Sequence, residues 1–148
     1  MDETQKVRGR EITKALADLD VLFSTGMDQN QNQIWTMNFT ADGADQPYPV
    51  VLQLQGDWIV IWHQIGGAVG DYPPTMLREL LELNGRLAIA KVALDADGRL
   101  GVSAQVAFGR LSPQALNEAF GAVISGAREL RERLKIIPPS QETPSTRH

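Results

Sequence analysis

The chain has 148 residues, 43% hydrophobic and 22% charged, with no cysteine and with 14 Lys+Arg against 18 Asp+Glu for a net charge of −4. A chain of this length buries roughly 68–70% of the surface its unfolded form exposes, enough for one domain with a real core and no staples. The missing cysteines exclude disulfides, thiolate metal sites and a Cys nucleophile, and the acidic balance, with a pI of about 5.1, has the wrong sign for a general nucleic-acid binder, whose affinity rests on neutralising phosphates.

Met1 to Lys6 shows no apolar run behind a basic start, and no segment approaches the roughly 18 apolar residues of a membrane span. The expectation is a soluble cytoplasmic protein with neither a membrane nor a nucleic-acid partner. From Glu3 to about Phe23, Ile12, Leu16, Leu19 and Phe23 step by four, three and four, which predicts an amphipathic helix weakened in its first turns by Gly9. Gly26 to Gln33 is polar and reads as a loop. Ile34 to Thr40 is rich in aromatic and β-branched residues and predicts a strand, and Ala41 to Pro49, with two prolines and a glycine, breaks it. Val50 to Gln55 alternates as a second strand. Gly56-Asp57 turns into Trp58 to Ile65, which is apolar on both faces and reads as a central strand of an antiparallel meander.

Gly66 to Gly70 is a link, and Asp71-Tyr72-Pro73-Pro74 opens a short helix over Thr75 to Leu83 that Asn84-Gly85 ends with residues tolerant of a left-handed cap. Leu87 to Leu94 and Leu100 to Phe108, joined by Asp95-Ala96-Asp97-Gly98-Arg99, predict a hairpin. Ser112-Pro113 then offers an N-cap Ser with Pro at the first helical position. Leu116, Phe120, Val123, Ala127, Leu130 and Leu134 form the clearest helical period in the chain, with Arg128, Arg131, Arg133 and Lys135 placed to complement the helix dipole. Pro138-Pro139 ends the helix. The expected organisation is a single α+β domain over residues 1–137, helix, three strands, helix, two strands, helix, built on a five-stranded antiparallel sheet, followed by a mobile tail over 138–148.

No catalytic constellation stands out. Counted from Asp95 as a calcium loop, position five is Arg99, position six Leu100 and position twelve Val106, so the ligand pattern fails and a hairpin turn remains. Gly66 to Gly70 matches neither phosphate-binding glycine pattern. His63 is the only internal histidine and assembles neither a metal pair nor a triad, and Asn38-Phe39-Thr40 spells a glycosylation site that means nothing without a signal peptide. No cofactor and no metal are expected. Lys91 either reaches water past its apolar stem or meets an acidic partner. Trp35, Trp58 and Trp62 could line a partner groove, although strand tryptophans are more often core. The small-residue stripe Ala115, Ala119, Ala122 and Gly126 suits close packing, with a dimer interface along this helix as the alternative.

Leu80 to Leu100, with a leucine-rich helix ending at Asn84, the Ala90-Lys91 pair and the acidic-Gly hairpin Asp95 to Gly98, resembles the YbjN family and the wider type III secretion chaperone-like fold; the closing helix Ser112 to Leu134 fits as well. The resemblance implies the element order α-β-β-β-α-β-β-α and a non-enzymatic, chaperone-like or regulatory module. It implies a polypeptide partner held in extended form, and a homodimer. Trp35, Trp58, Trp62 and Phe120 are the candidate partner-binding residues. The competing expectation is a small-ligand binder or enzyme using Asp57, His63 and Asp71 beside the Gly66 to Gly70 link.

Overall fold

The computed structural model describes residues 2–40 and 47–134. Its elements are α1 (Glu3–Asp18), β1 (Ser24–Met27), β2 (Gln33–Phe39), β3 (Tyr48–Gln55), β4 (Trp58–Ala68), α2 (Pro74–Asn84), β5 (Lys91–Leu94), β6 (Arg99–Ala107) and α3 (Pro113–Leu134). The strands form one antiparallel sheet in the order β1-β2-β3-β4-β6-β5. The α+β class and the succession of elements agree with the expected fold, with one strand more than the five anticipated. The expected tail over 138–148 lies outside the described residues.

The alternation of strand side chains decides where the core sits. Trp35, Leu52, Ile61 and Ala104 follow one another across neighbouring strands, and Met37, Val50, His63 and Val102 form a second such row; all are buried. Against this face α1 packs Ile12, Ala15 and Leu16, and α3 packs Leu116, Ala119, Phe120, Val123, Ala127 and Leu130. Each fully buried aliphatic side chain in such a layer contributes roughly 1.5–3 kcal/mol. Ser112 caps α3 as expected, its Oγ accepting the Ala115 N–H at 3.0 Å. The small-residue stripe closes on the sheet: a side chain at Gly126 would meet Val102 at 3.3 Å and Ala90 at 3.7 Å, and Ala119 is buried.

The opposite face carries Thr36, Val51, Gln53, Trp58, Val60, Trp62 and Gln105, none of them fully buried. β4 is central, as its sequence predicts, yet only its Ile59, Ile61, His63 and Ile65 side is covered. Trp62 leans its indole across Gly101 on the exposed side; a Cβ there would come within 2.4 Å of the ring and 2.7 Å of the His63 carbonyl.

Four local expectations are corrected. α1 ends at Asp18 rather than near Phe23, because Asp20 takes a left-handed φ of 57° and turns the chain. The polar stretch Gly26 to Gln33, expected to be a loop, holds the end of β1 and a tight turn. Leu87 to Ala90 lies outside β5, which begins at Lys91. Gly85 is right-handed, with φ −65°, and α2 is closed by other means described below.

Gly101→Ala should lower stability by roughly 1–3 kcal/mol, the usual cost of overpacking, read as a drop in the urea midpoint with an unchanged slope.

Candidate functional site

The two outer strands present unpaired backbone, and the chain treats them differently. At β5, the side chain of Asn84, the last residue of α2, lies against Val92: Oδ1 accepts the Val92 N–H at 2.6 Å and Nδ2 donates to its carbonyl at 3.0 Å. The carboxamide stands in for one residue of a neighbouring strand and covers the edge at Val92, leaving Leu94 as the other β5 residue whose backbone groups point away from β6. Lys91 completes the junction. Its ammonium donates to the Asn84 carbonyl at 2.9 Å and to the Leu87 carbonyl, capping the C-terminal end of α2 with a positive charge. Neither expectation for Lys91 describes this, since its partners are backbone carbonyls.

β1 has no such cover among the described residues. All four of its residues are exposed, and it pairs on one side only, Ser24 to Thr36 through Met27 to Gln33. The Asp28 N–H donates to Asn32 O at 3.0 Å across the turn; the alternation of an antiparallel ladder then directs the backbone groups of Thr25 and Met27 away from β2. The turn is organised by Asp28, whose Oδ1 accepts the N–H groups of Asn30 and Asn32, both at 2.8 Å, while Oδ2 receives the side chains of Asn32 and Gln53. The Asn32 backbone donor above all holds this carboxyl below its ordinary pKa.

Two grooves border β1. One, of about 490 Å³, lies between it and α1, with Lys6, Arg10 and Thr13 on the helix side and Thr25, Met27 and Ile34 on the strand side. The other, of about 510 Å³, continues past its first residue and is lined by Leu22, Phe23, Met37, Pro49 and Val50. Leu22 is 90% exposed, and Met27 is exposed on β1. α1 is fixed above this edge by specific contacts. Gly9 packs against the end of the Gln33 side chain, which a Cβ would displace, Thr13 Oγ1 accepts the Trp35 indole N–H at 3.1 Å, and Arg8 donates to the Gly56 carbonyl at 2.7 Å and to Asp57 at 2.8 Å while covering Phe108.

The structure separates the aromatic candidates. Trp35 and Phe120 are core residues, each 2% exposed, and Phe120 packs at a tilt against Phe39 with ring centroids 4.8 Å apart; in this conformation neither offers its ring to a partner. Trp58 is 49% exposed and Trp62 half-buried, both on the uncovered sheet face. Sequence reasoning missed β1 itself, and the signal available was the Asp28 to Asn32 turn chemistry.

Asp57, His63 and Asp71 are not brought together. Asp57 precedes β4 and Asp71 follows it, so the eleven residues of the strand, roughly 35 Å at its usual rise, lie between them. Asp57 is tied to Arg8. His63, 1% exposed, faces the core. Its Nε2 lies 2.7 Å from Arg131 Nη2, a permanent donor, so Nε2 accepts and Nδ1–H donates to the Pro49 carbonyl at 2.6 Å. Arg131 also lies over the Tyr48 ring at 4.9 Å, so one cation expected to serve the helix dipole turns into the core instead. The imidazole is therefore neutral, and burial first, then the Arg131 charge, lowers its pKa to about 4 against the opposing bond to Pro49. Burial likewise lowers Arg131, partly offset by Tyr48.

The model described as the Tir chaperone protein (CesT) family matches residues 26–131. Among curated protein sequences none matches. Similar solved structures include the HopA1-SchA chaperone-effector complex, with TM-score 0.60 and 15% identity over 89% of this chain and 98% of that one. The ExoU-SpcU complex of the Pseudomonas aeruginosa type III secretion system gives TM-score 0.56 and 21% identity over 79% and 92% of the two chains. E. coli YbjN gives TM-score 0.61 and 12% identity over 86% and 93%. At these identities the likeness is one of fold, and it agrees with the resemblance drawn from Leu80 to Leu100. No helix among the described residues is long and apolar enough to cross a membrane.

Because the folded-state pKa of His63 lies below the unfolded value near 6.5, the neutral ring's contribution is complete above pH 6.5 and is lost as pH falls toward 4. The loss should reach about 3 kcal/mol at 1.36 kcal/mol per unit, read as a falling denaturation midpoint across that window. His63→Gln should flatten this part of the profile.

Proposed function

Because the chain belongs to the Tir chaperone protein (CesT) family, we propose that it is a non-enzymatic chaperone that holds an extended segment of a polypeptide client along β1. The observation that carries this reading is the asymmetry of the sheet edges: Asn84 covers Val92 on β5, whereas among the described residues β1 keeps the outward backbone groups of both Thr25 and Met27, exposed apolar side chains at Leu22 and Met27, and a groove on its α1 side. An added strand obtains affinity from main-chain hydrogen bonds and selectivity from the pockets its alternate side chains enter. Chaperone-effector and secretion complexes among the similar folds support a polypeptide as the partner class. Trp58 and Trp62, on the uncovered face, remain the aromatic residues available to extend the contact.

A photoreactive phenylalanine analogue at Met27, expressed in the native cell, should crosslink to one contiguous segment of each client, and the same analogue at the exposed Ser125 on α3 should not. Crosslinking through Trp58 alone would move the site to the sheet face and sink the β1 reading.

A second surface favours self-association. On α2, Leu77 and Leu81 stand one turn apart, 49% and 73% exposed, and Leu94 of β5 is 49% exposed. Apolar patches of this kind mark interfaces, and the one here fits a twofold contact with a second copy. The wild-type chain should run as a dimer in light scattering and Leu77→Glu/Leu81→Glu as a monomer with unchanged circular dichroism; a wild-type monomer at tens of micromolar would remove the dimer.

A further inference from the structure

The two sides of β1 differ in charge, and the difference bears on which segments it accepts. This inference deepens the reading of β1 as a strand-accepting edge and rests on it. Gln5 and Gly9 lie against Gln33 while Thr13 reaches Trp35, so α1 runs alongside β2 and therefore alongside β1. Of the α1 residues lining the groove, Lys6 and Arg10 are cationic and exposed. Lys6 has only a loose contact with Glu3 at 3.7 Å, and Arg10 has no ion pair among the described residues. On the other side of the strand, Asp28 is hydrogen-bonded to Gln53, a residue of the uncovered face. One side of β1 thus attracts negative charge and the other carries it.

A strand laid against β1 sends alternate side chains to these two sides. Its residues i and i+2 are about 6.6 Å apart along one face. Lys6 and Arg10, one helical turn apart, present Cβ atoms about 5–6 Å from each other. The two spacings agree to within the reach of long side chains.

We propose that β1 selects extended segments carrying two carboxylates at alternate positions, both directed toward α1 and received by Lys6 and Arg10, with neutral apolar side chains on the other side. Each exposed pair adds little alone. Two together should give an acidic segment a three- to thirtyfold lower Kd than its basic counterpart, an advantage that shrinks as salt rises.

The test uses two blocked, fluorescein-labelled peptides, Thr-Val-Glu-Val-Glu-Val-Thr and Thr-Val-Lys-Val-Lys-Val-Thr, titrated by fluorescence polarisation with amide exchange of the saturated complexes. The proposal expects tighter binding of the glutamate peptide, protection of the Thr25 and Met27 amides, and reversed preference in Lys6→Glu/Arg10→Glu, with folding of the variant checked by thermal denaturation. Equal affinity of both peptides with Thr25 and Met27 protected would overturn the charge selection and leave strand addition standing. Binding of neither peptide, or binding without protection of β1, would overturn both.

Discussion

Asn84 turns its carboxamide onto Val92 and satisfies both backbone groups that β5 would otherwise expose at that residue. A sheet that is not closed into a barrel has two edges, and an uncovered edge is a template for any extended chain. Covering β5 at Val92 with a side chain makes the two edges unlike, because among the described residues nothing comparable lies against β1. The same junction holds α2, because the Asn84 carbonyl accepts from Lys91. The helix end, the strand edge and the hairpin that follows are thereby fixed by two side chains seven residues apart. A left-handed glycine cap at Gly85 becomes unnecessary, and its φ of −65° is the ordinary right-handed value.

At the β1 edge, α1 shapes the strand's surroundings without covering it. Gly9 lets the helix approach Gln33 closely, and Thr13 is bonded to Trp35. Arg8 reaches across to the Gly56-Asp57 turn and Phe108, so the helix is anchored on the side away from β1. Held in this way, α1 turns its exposed flank toward the strand as one wall of a groove. Asp57, which in sequence invites a ligand-binding role, serves as the acceptor in this clamp.

The long-range order was legible because it is written in periodicity. The four-three-four steps from Leu116 onward, the alternation over Val50 to Gln55 and the apolar run beginning at Trp58 each bury a face that a period can report. Asn84, Ala90-Lys91 and the Asp95 to Gly98 turn were visible as a pattern, and Asp95 does bond the Asp97 and Arg99 N–H groups as a hairpin turn requires, both at 2.9 Å. β1 was illegible for the complementary reason. A strand with all four residues exposed buries nothing, so no period marks it, and its turn has Gln31 at φ 63° where glycine or asparagine would have signalled the reversal.

The same reasoning explains why two of the four aromatic candidates are buried. Trp35 and Phe120 are large enough to fill the space between sheet and helices, and the core takes them, Trp35 with its indole N–H satisfied by Thr13. A strand-accepting surface of the kind proposed is better made from modest exposed groups, here Met27 and Leu22, bordered by charge. In the strand-addition reading proposed above, backbone hydrogen bonding provides attraction independent of client sequence, and the flanking side chains decide among clients. The chemistry that recognises a partner here is therefore expected in the least patterned stretch of the chain, Leu22 to Gln33, and in the helix flank that runs beside it.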